Sequence, residues 1–282
     1  MSSKRPQPFF SRSQVTLVRG LWMVVTAILA FMTLFPLLWM VSIAFKPAAE
    51  SFSSNLIPQA PTLDNFIYVL TGVPFIRYMV NSFLVSATVT VVALFFHTMA
   101  GYALARLRFP GREVMFLSIF STFLVSLPVI IVPLFVIVKA MGMLNSYAGL
   151  IIPAIFNAFG IFLLRQYYLS LPKEIEEAAR IDGAGYWRIY WSVILPLSRP
   201  IMSALAILFF LANWNSFLWP LTITSDPDLW VVQLGIANFK SQYSASWNYM
   251  MAASTIVAIP TLILFVIFQR QIMDSLKTSG LK

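Results

Sequence analysis

The sequence predicts an all-α integral membrane protein with six transmembrane helices and both termini on the cytoplasmic side. Three observations carry this. The 282 residues are 59% hydrophobic and only 10% charged, whereas a soluble domain is about one-quarter charged. Six apolar stretches are long enough for a hydrocarbon core, which needs ~20 residues: residues 17–45, 78–104, 114–138, 147–168, 201–223 and 250–268. With the N-terminus inside, every Lys and Arg except Lys46, Arg77, Lys139 and Lys240 falls on the cytoplasmic side. That is the bias that short loops of membrane proteins carry.

The net charge of +9 is therefore an orientation signal. Basic residues spread over alternating loops do not make a nucleic-acid surface, so no nucleic-acid partner is expected. The chain has no cysteine, which removes disulfides and thiolate metal sites. One membrane domain accounts for the length: a cytoplasmic N-terminal segment 1–20, a six-helix domain 21–268 and a cytoplasmic tail 269–282.

The N-terminal segment carries Lys4, Arg5, Arg12 and Arg19 ahead of an apolar run that is longer than a signal-peptide core. It reads as a retained first helix. The outside segment 46–77 reads as extended, because Pro47, Pro58, Pro61 and Pro74 break helices. The second span holds His97, the sole histidine, read as an interhelical group because no metal-ligand partners accompany it. Pro110-Gly111 marks a tight inside turn. Pro128 and Pro133 interrupt the third span close to Ser126, and Pro153 and Pro260 interrupt the fourth and sixth. Each frees a backbone carbonyl that a neighbouring helix or a wet path must satisfy. Residues 141–146 form a second outside turn. The third outside segment, 224–249, contains Asp226-Pro227-Asp228 and the aromatic-amide run 238–243. Trp22, Trp39, Trp219, Trp230 and Trp247 lie near span ends, where indole rings suit the interface.

Residues 171–200, LPKEIEEAARIDGAGYWRIYWSVILPLSRP, form the longest hydrophilic interval on the inside. They hold Glu174, Glu176, Glu177 and Asp182, four of the chain's ten acids. Pro172 and the acids after it suit a helix N-terminus. Glu177-Ala178-Ala179 favours helix, and Asp182-Gly183 offers a stop. A second short helix is expected near 186–193, ended by Leu195-Pro196. An ordered, small-residue helix kept in one loop is expected to dock a partner there; the plain alternative, a helix resting on the membrane surface, would set its acids against an anionic leaflet.

The chemistry is defined by what is missing. There is no G-x-x-x-x-G-K-[ST] segment, so the chain cannot cradle a nucleotide that way. No Asp, Glu or Lys lies in the middle of a span, which argues against an ion-driven carrier. No serine–histidine or paired-carboxylate arrangement suggests an intramembrane enzyme. The polarity left in the spans is neutral. Ser126, Asn157, Asn213 and Asn215 are candidate path-lining residues, and Asn213-Trp214-Asn215-Ser216 joins amides to an aromatic face as a sugar site would. Interhelical hydrogen bonding, at ~0.6–2 kcal/mol each, is the plain alternative. A path with no energy source and one docking helix describes a transporter subunit driven by a partner.

Glu177-Ala178-Ala179, Asp182-Gly183-Ala184 and Ile194-Leu195-Pro196 resemble the EAA loop of permease subunits of bacterial ABC importers. Leu171-Pro172, Trp214-Asn215 with residues 217–220, and residues 238–243 look like the carbohydrate branch, and within it the MalG type of subunit. The resemblance implies the MetI-like, type I importer permease fold and a multi-pass place in the bacterial cytoplasmic (inner) membrane, among its lipids. The partners it implies are a second, MalF-type permease, an ATPase dimer, an extracytoplasmic solute-binding protein and a sugar substrate, an oligosaccharide foremost. ATP and Mg would sit on the ATPases; this chain would bind no cofactor and catalyse nothing. Glu177, Ala178, Ala179, Asp182, Gly183 and Ala184 would make the ATPase-coupling contact. Asn238, Phe239, Gln242 and Tyr243 would lie in the loop that reaches the binding protein, and residues 277–282 would approach the ATPase. In the maltose system the sugar site lies in the partner permease, which leaves direct contact by Asn213 or Asn215 open. Two alternatives stand beside this reading: the same machine importing glycerol-3-phosphate, and a self-sufficient secondary carrier.

Overall fold

The computed structural model describes residues 12–242 and 247–279, and no strand occurs among them. Four helical stretches are long and apolar enough to cross a membrane: residues 19–44, 75–106, 147–170 and 247–269. Two bent pairs make six passes when each pair counts as one.

Helix α1 (Arg12–Ala44) is apolar almost all round. Side chains from Leu21 to Leu38 are exposed, and the helix leans along the last helix, α14 (Trp247–Ser279). Lipid covers such a surface at no cost, because acyl chains are as apolar as leucine. The segment after α1 is not extended throughout, as its prolines suggested. It forms a 3-10 turn at Ala48–Glu50 and a helix α2 (Asp64–Thr71). Pro61 and Pro74 flank α2 and do not enter it, so nothing removes a donor inside it. Asn65 pins α2 in place. Its amide nitrogen donates to the carbonyls of Ala44 and Lys46 at 2.8 Å, and its oxygen accepts from Asn248 at 2.6 Å.

Helix α3 (Phe75–Arg106) is the central post. Its polar face, Asn81, Ser82, Ser86, Thr90, His97 and Thr98, is turned inward and buried. The third apolar stretch is not one rod. It divides into α4 (Arg112–Thr122) and α5 (Leu127–Ala140), whose axes differ by 101°. Pro128 falls in the first turn of α5, where a missing N–H costs nothing. The fourth stretch divides at Phe156-Asn157 into α6 (Tyr147–Ile155) and α7 (Ala158–Ser170). Close packing of α7 on α3 depends on Gly101, where an added Cβ would stand 2.8 Å from the Leu164 Cβ.

Residues 171–200 fold as α8 (Glu174–Ile181), α9 (Tyr186–Ile189), one wide π turn at Tyr190–Ile194 and α10 (Leu195–Leu197). Leu195-Pro196 therefore does not end the second short helix. The wide turn just before Pro196 opens the backbone where the proline ring would otherwise meet the carbonyl four residues back. Residues 186–197 then meet α11 (Arg199–Trp214) at 73°. The expected fifth span, 201–223, breaks after Trp214 and resumes as α12 (Leu218–Ile223). Helix α13 (Val232–Gln242) occupies what the sequence presents as an outside loop.

The core has two main centres. One gathers Tyr102, Leu164, Tyr168, Ile189, Tyr190, Ile194, Leu205 and Phe209 around the C-terminal end of α3. The other gathers Ala44, Val69, Phe75, Tyr78, Trp214, Val232, Phe239 and Ala252 at its N-terminal end.

Candidate functional site

The 171–200 segment is built to hold one short helix out from the membrane helices. Glu174, Glu176 and Glu177 lie in the first turn of α8 and Arg180 in its last, so side-chain charges oppose the helix dipole at both ends. The C-terminus closes by two reverse hydrogen bonds. The Gly183 N–H donates to the Arg180 carbonyl at 3.0 Å, and the Ala184 N–H donates to the Ala179 carbonyl at 3.0 Å. This is a Schellman cap, and it needs the left-handed φ of +77° that Gly183 adopts. The D-G-A triplet is thus a backbone instruction. Ala179 and Ala184 pack inward against the core, while Glu177, Ala178, Asp182 and Gly183 stay exposed.

Ile181 is 87% exposed. It lies three and four residues after Ala178 and Glu177, hence on the same face. This places one large apolar side chain beside Glu177 and Ala178 on the outward face of α8. Sequence reading passed over it because one isoleucine in a polar loop has no pattern. It grouped Glu176 with the other acids of the helix N-terminus, whereas Glu176 is the buried one. Glu176 pairs with Arg106 at 3.0 Å, both side chains being nearly inaccessible (7% and 5%). Beside this pair opens a cleft of about 620 Å³ whose walls include Arg108, Arg112, Lys173 and Arg180.

A second buried cation lies nearby on α7. Arg165 donates to both carboxylate oxygens of Glu113 at 3.0 and 2.9 Å, to the Leu104 carbonyl at 3.3 Å, and stacks 3.9 Å over the Phe116 ring. It ties the start of α4 to the end of α3.

The candidate path residues separate into two groups. Ser126 is exposed at the break between α4 and α5, and Asn157 is exposed at the break between α6 and α7. The Phe123 and Phe159 rings stack at 5.6 Å, so the two breaks lie side by side. Asn157 caps α7 through its side chain, which accepts from the Phe159 N–H at 3.0 Å. Its own N–H is donated to His97 Nε2 at 3.3 Å. His97 is therefore an interhelical group holding the break.

Asn213 and Asn215 lie at the far end of α11. Their amides donate back to the carbonyls of Phe209 and Leu211 at 2.8 and 2.9 Å. The Asn215 oxygen also accepts from Gln233 at 3.3 Å. Trp214 is buried in the core, its indole N–H directed at the Val257 carbonyl. The expected amide-plus-aromatic face is thus divided: the ring points inward because α11 must seal against α14.

The expected binding-protein loop is helical at Asn238 and Phe239. Phe239 is buried, with its ring 6.2 Å from that of Phe75. An exposed role for Phe239 gives way to a core one, because the period of α13 turns it inward. Gln242 ends α13, and Tyr243 lies outside the described residues.

Comparison with known proteins agrees with this architecture. The family model described as "Binding-protein-dependent transport system inner membrane component" matches residues 97–277. The arabinooligosaccharides transport system permease protein AraQ of Halalkalibacterium halodurans is 36% identical over 91% of this chain and 94% of its own length. The diacetylchitobiose uptake system permease protein NgcG of Streptomyces coelicolor is 35% identical over 85% and 81%. The sn-glycerol-3-phosphate transport system permease protein UgpE of Yersinia pestis is 36% identical over 73% and 74%. Among solved structures, a chain of a bacterial ABC transporter involved in the import of the acidic polysaccharide alginate superposes with a TM-score of 0.81. It is 25% identical over 94% of this chain and 99% of its own. With a multi-pass helical body, two helix breaks side by side and a capped short helix in the 171–200 segment, the chain belongs to the family of inner membrane components of binding-protein-dependent transport systems.

Proposed function

We propose that this chain is one of two permease subunits of an ABC importer for a sugar, an oligosaccharide foremost, and that α8 is its ATPase-docking helix. The observation that carries the proposal is α8 itself: an acidic, Schellman-capped helix whose exposed face presents Glu177, Ala178, Ile181, Asp182 and Gly183. Such a face is a compact plug. Ile181 supplies apolar area, and Glu177 and Asp182 supply acceptors for Arg or Lys of a partner. ATP and Mg belong to that partner, and this chain carries out no chemistry. Closure of the ATPase dimer would push α8, and the attached helices would rock between inward- and outward-facing states.

On this reading residues 1–20 and 269–282 are cytoplasmic, and residues 277–282 approach the ATPase. The binding protein meets the opposite face near Asn238, Gln242 and Tyr243. Solute passes the breaks at Ser126 and Asn157 along a boundary shared with the second, MalF-type permease. The neutral polarity of both groups favours an uncharged, hydroxyl-rich solute over glycerol-3-phosphate. The names of two relatives, which speak of arabinooligosaccharides and diacetylchitobiose, point the same way.

Reconstitution tests the proposal. In vesicles holding the complete importer, uptake of arabinooligosaccharides should require ATP and the binding protein. Glu177→Lys should leave assembly intact while ATP hydrolysis proceeds without uptake. Uptake by this chain alone on an ion gradient, or wild-type uptake by Glu177→Lys, would overturn it.

A further inference from the structure

We infer that Arg106 and Glu176 form the joint through which movement of α8 reaches the membrane helices, and that Thr98, Tyr102 and Arg106 are the transmission seam of α3. This rests on the reading of α8 as the docking helix. The three seam residues are spaced by four and so share one stripe of α3. Each meets the 171–200 segment. The Thr98 hydroxyl lies 2.8 Å from the Tyr190 hydroxyl. The Tyr102 ring packs 5.5 Å from that of Tyr190. Arg106 Nε lies 3.0 Å from a Glu176 carboxylate oxygen, and its Nη2 donates to the Leu171 carbonyl at 2.5 Å. One guanidinium thus grips α8 and the chain leading into it.

Glu176 and Glu177 are neighbours with opposite surroundings. Glu177 is exposed and makes no ion pair among the described residues, so it is available to a partner. Glu176 is sealed inside against α3. A buried ion pair adds little net stability, because desolvation offsets the attraction. Pulling it apart, however, strands a charge in a low-dielectric interior. Such a contact resists both sliding and separation, which is the property a push rod needs. The seam also reaches α7 through Tyr102 and Tyr168, whose rings are 6.2 Å apart. Tyr168 in turn accepts from the Ser198 hydroxyl at 3.2 Å, at the bend into α11. Arg106 and Glu176 are accordingly positioning residues: they touch no solute and act by keeping α8 and α3 in one body.

The test uses the complete importer in nanodiscs, with spin-labelled cysteines in place of Glu174 on α8 and Val91 on the exposed face of α3. The distance between the labels is measured without nucleotide and after trapping with ATP and vanadate. In the otherwise native chain it should be the same in both states. In Arg106→Gln or Glu176→Gln it should change between states, and the ATPase-to-uptake ratio should rise about fivefold or more, the usual size of a lost coupling. The exchange pair Arg106→Glu with Glu176→Arg should restore a constant distance. Where Glu176→Gln fails to assemble, Tyr190→Phe, which removes only the hydroxyl facing Thr98, should show the changing distance in its place. A distance that varies in the native chain, or stays constant in all these variants, overturns the joint. Loss of assembly in all of them assigns the stripe to folding and also overturns it. Cross-linking of Glu177→Cys to the ATPase separates the two readings. No cross-link sinks the docking assignment itself; a cross-link with a constant distance in the variants sinks the joint alone.

Discussion

At Gly183 the backbone adopts φ +77° with no atom within 4 Å of where a Cβ would stand. A substitution there meets conformational strain alone. Asparagine tolerates the left-handed region better than other side chains, so Gly183→Asn should retain coupled transport. Gly183→Trp combines ~1–2 kcal/mol of left-handed strain with bulk on the proposed docking face, and should dissociate ATP hydrolysis from uptake. Hydrogen exchange at Gly183 and Ala184, whose N–H groups close the cap, checks whether the cap survives in each. Equal uptake by both variants would remove residue 183 from the proposed docking face. Glycine and aspartate were legible here because a helix stop leaves a spelling in the chain. Glu176 and Ile181 were not. Burial of one glutamate among three depends on where Arg106 lies, seventy residues earlier, and sequence spacing holds no record of that.

The elements repeat this division between local and distant causes. The break between α4 and α5 was foreshadowed by Pro128, because the missing N–H is a property of the residue. The break at Phe156-Asn157 was not, since Pro153 stays inside α6 and the break is completed by His97 from another helix. Helix α2 was overlooked because its prolines stand outside it. Helix α13 was overlooked because Phe239 owes its burial to Phe75. At this scale the sharpest test is Gly160, on α7. An added Cβ would stand 2.4 Å from the Phe209 ring and 2.7 Å from His97 Nδ1. Gly160→Ala should lower stability by about 1–3 kcal/mol through overpacking, read as a shift in thermal unfolding in detergent. Gly111→Ala, with open space around its Cβ but φ +78°, separates strain from crowding: its loss should be the smaller of the two.

For the molecule as a whole, composition and charge alternation carried the sequence argument. The apolar runs establish the membrane class. The path is less legible, because which neutral polar groups meet depends on how bent helices lie against one another. Ser126 and Asn157 are drawn to adjoining breaks, while Asn213 bonds back within α11 and Asn215 meets Gln233 of α13. The orientation of the whole is open to direct test, since the native chain has no cysteine. A single cysteine at Glu174 should react with a membrane-impermeant maleimide only from the cytoplasmic side. One at Ala60 should react only from the opposite side. Reaction of both from one side would overturn the six-pass arrangement, and reversed labelling would overturn the proposed polarity.

The Schellman cap of α8 carries a practical consequence. Its shape is dictated by main-chain hydrogen bonds and one glycine, whereas its outward chemistry resides in Glu177, Ala178, Ile181 and Asp182. Geometry and address are therefore written in different residues. On the proposed assignment, rewriting those side chains would redirect the subunit to a different motor and leave the plug that presents them intact. On that assignment a single permease architecture would serve different ATPases in the way a standard socket accepts differently keyed connectors.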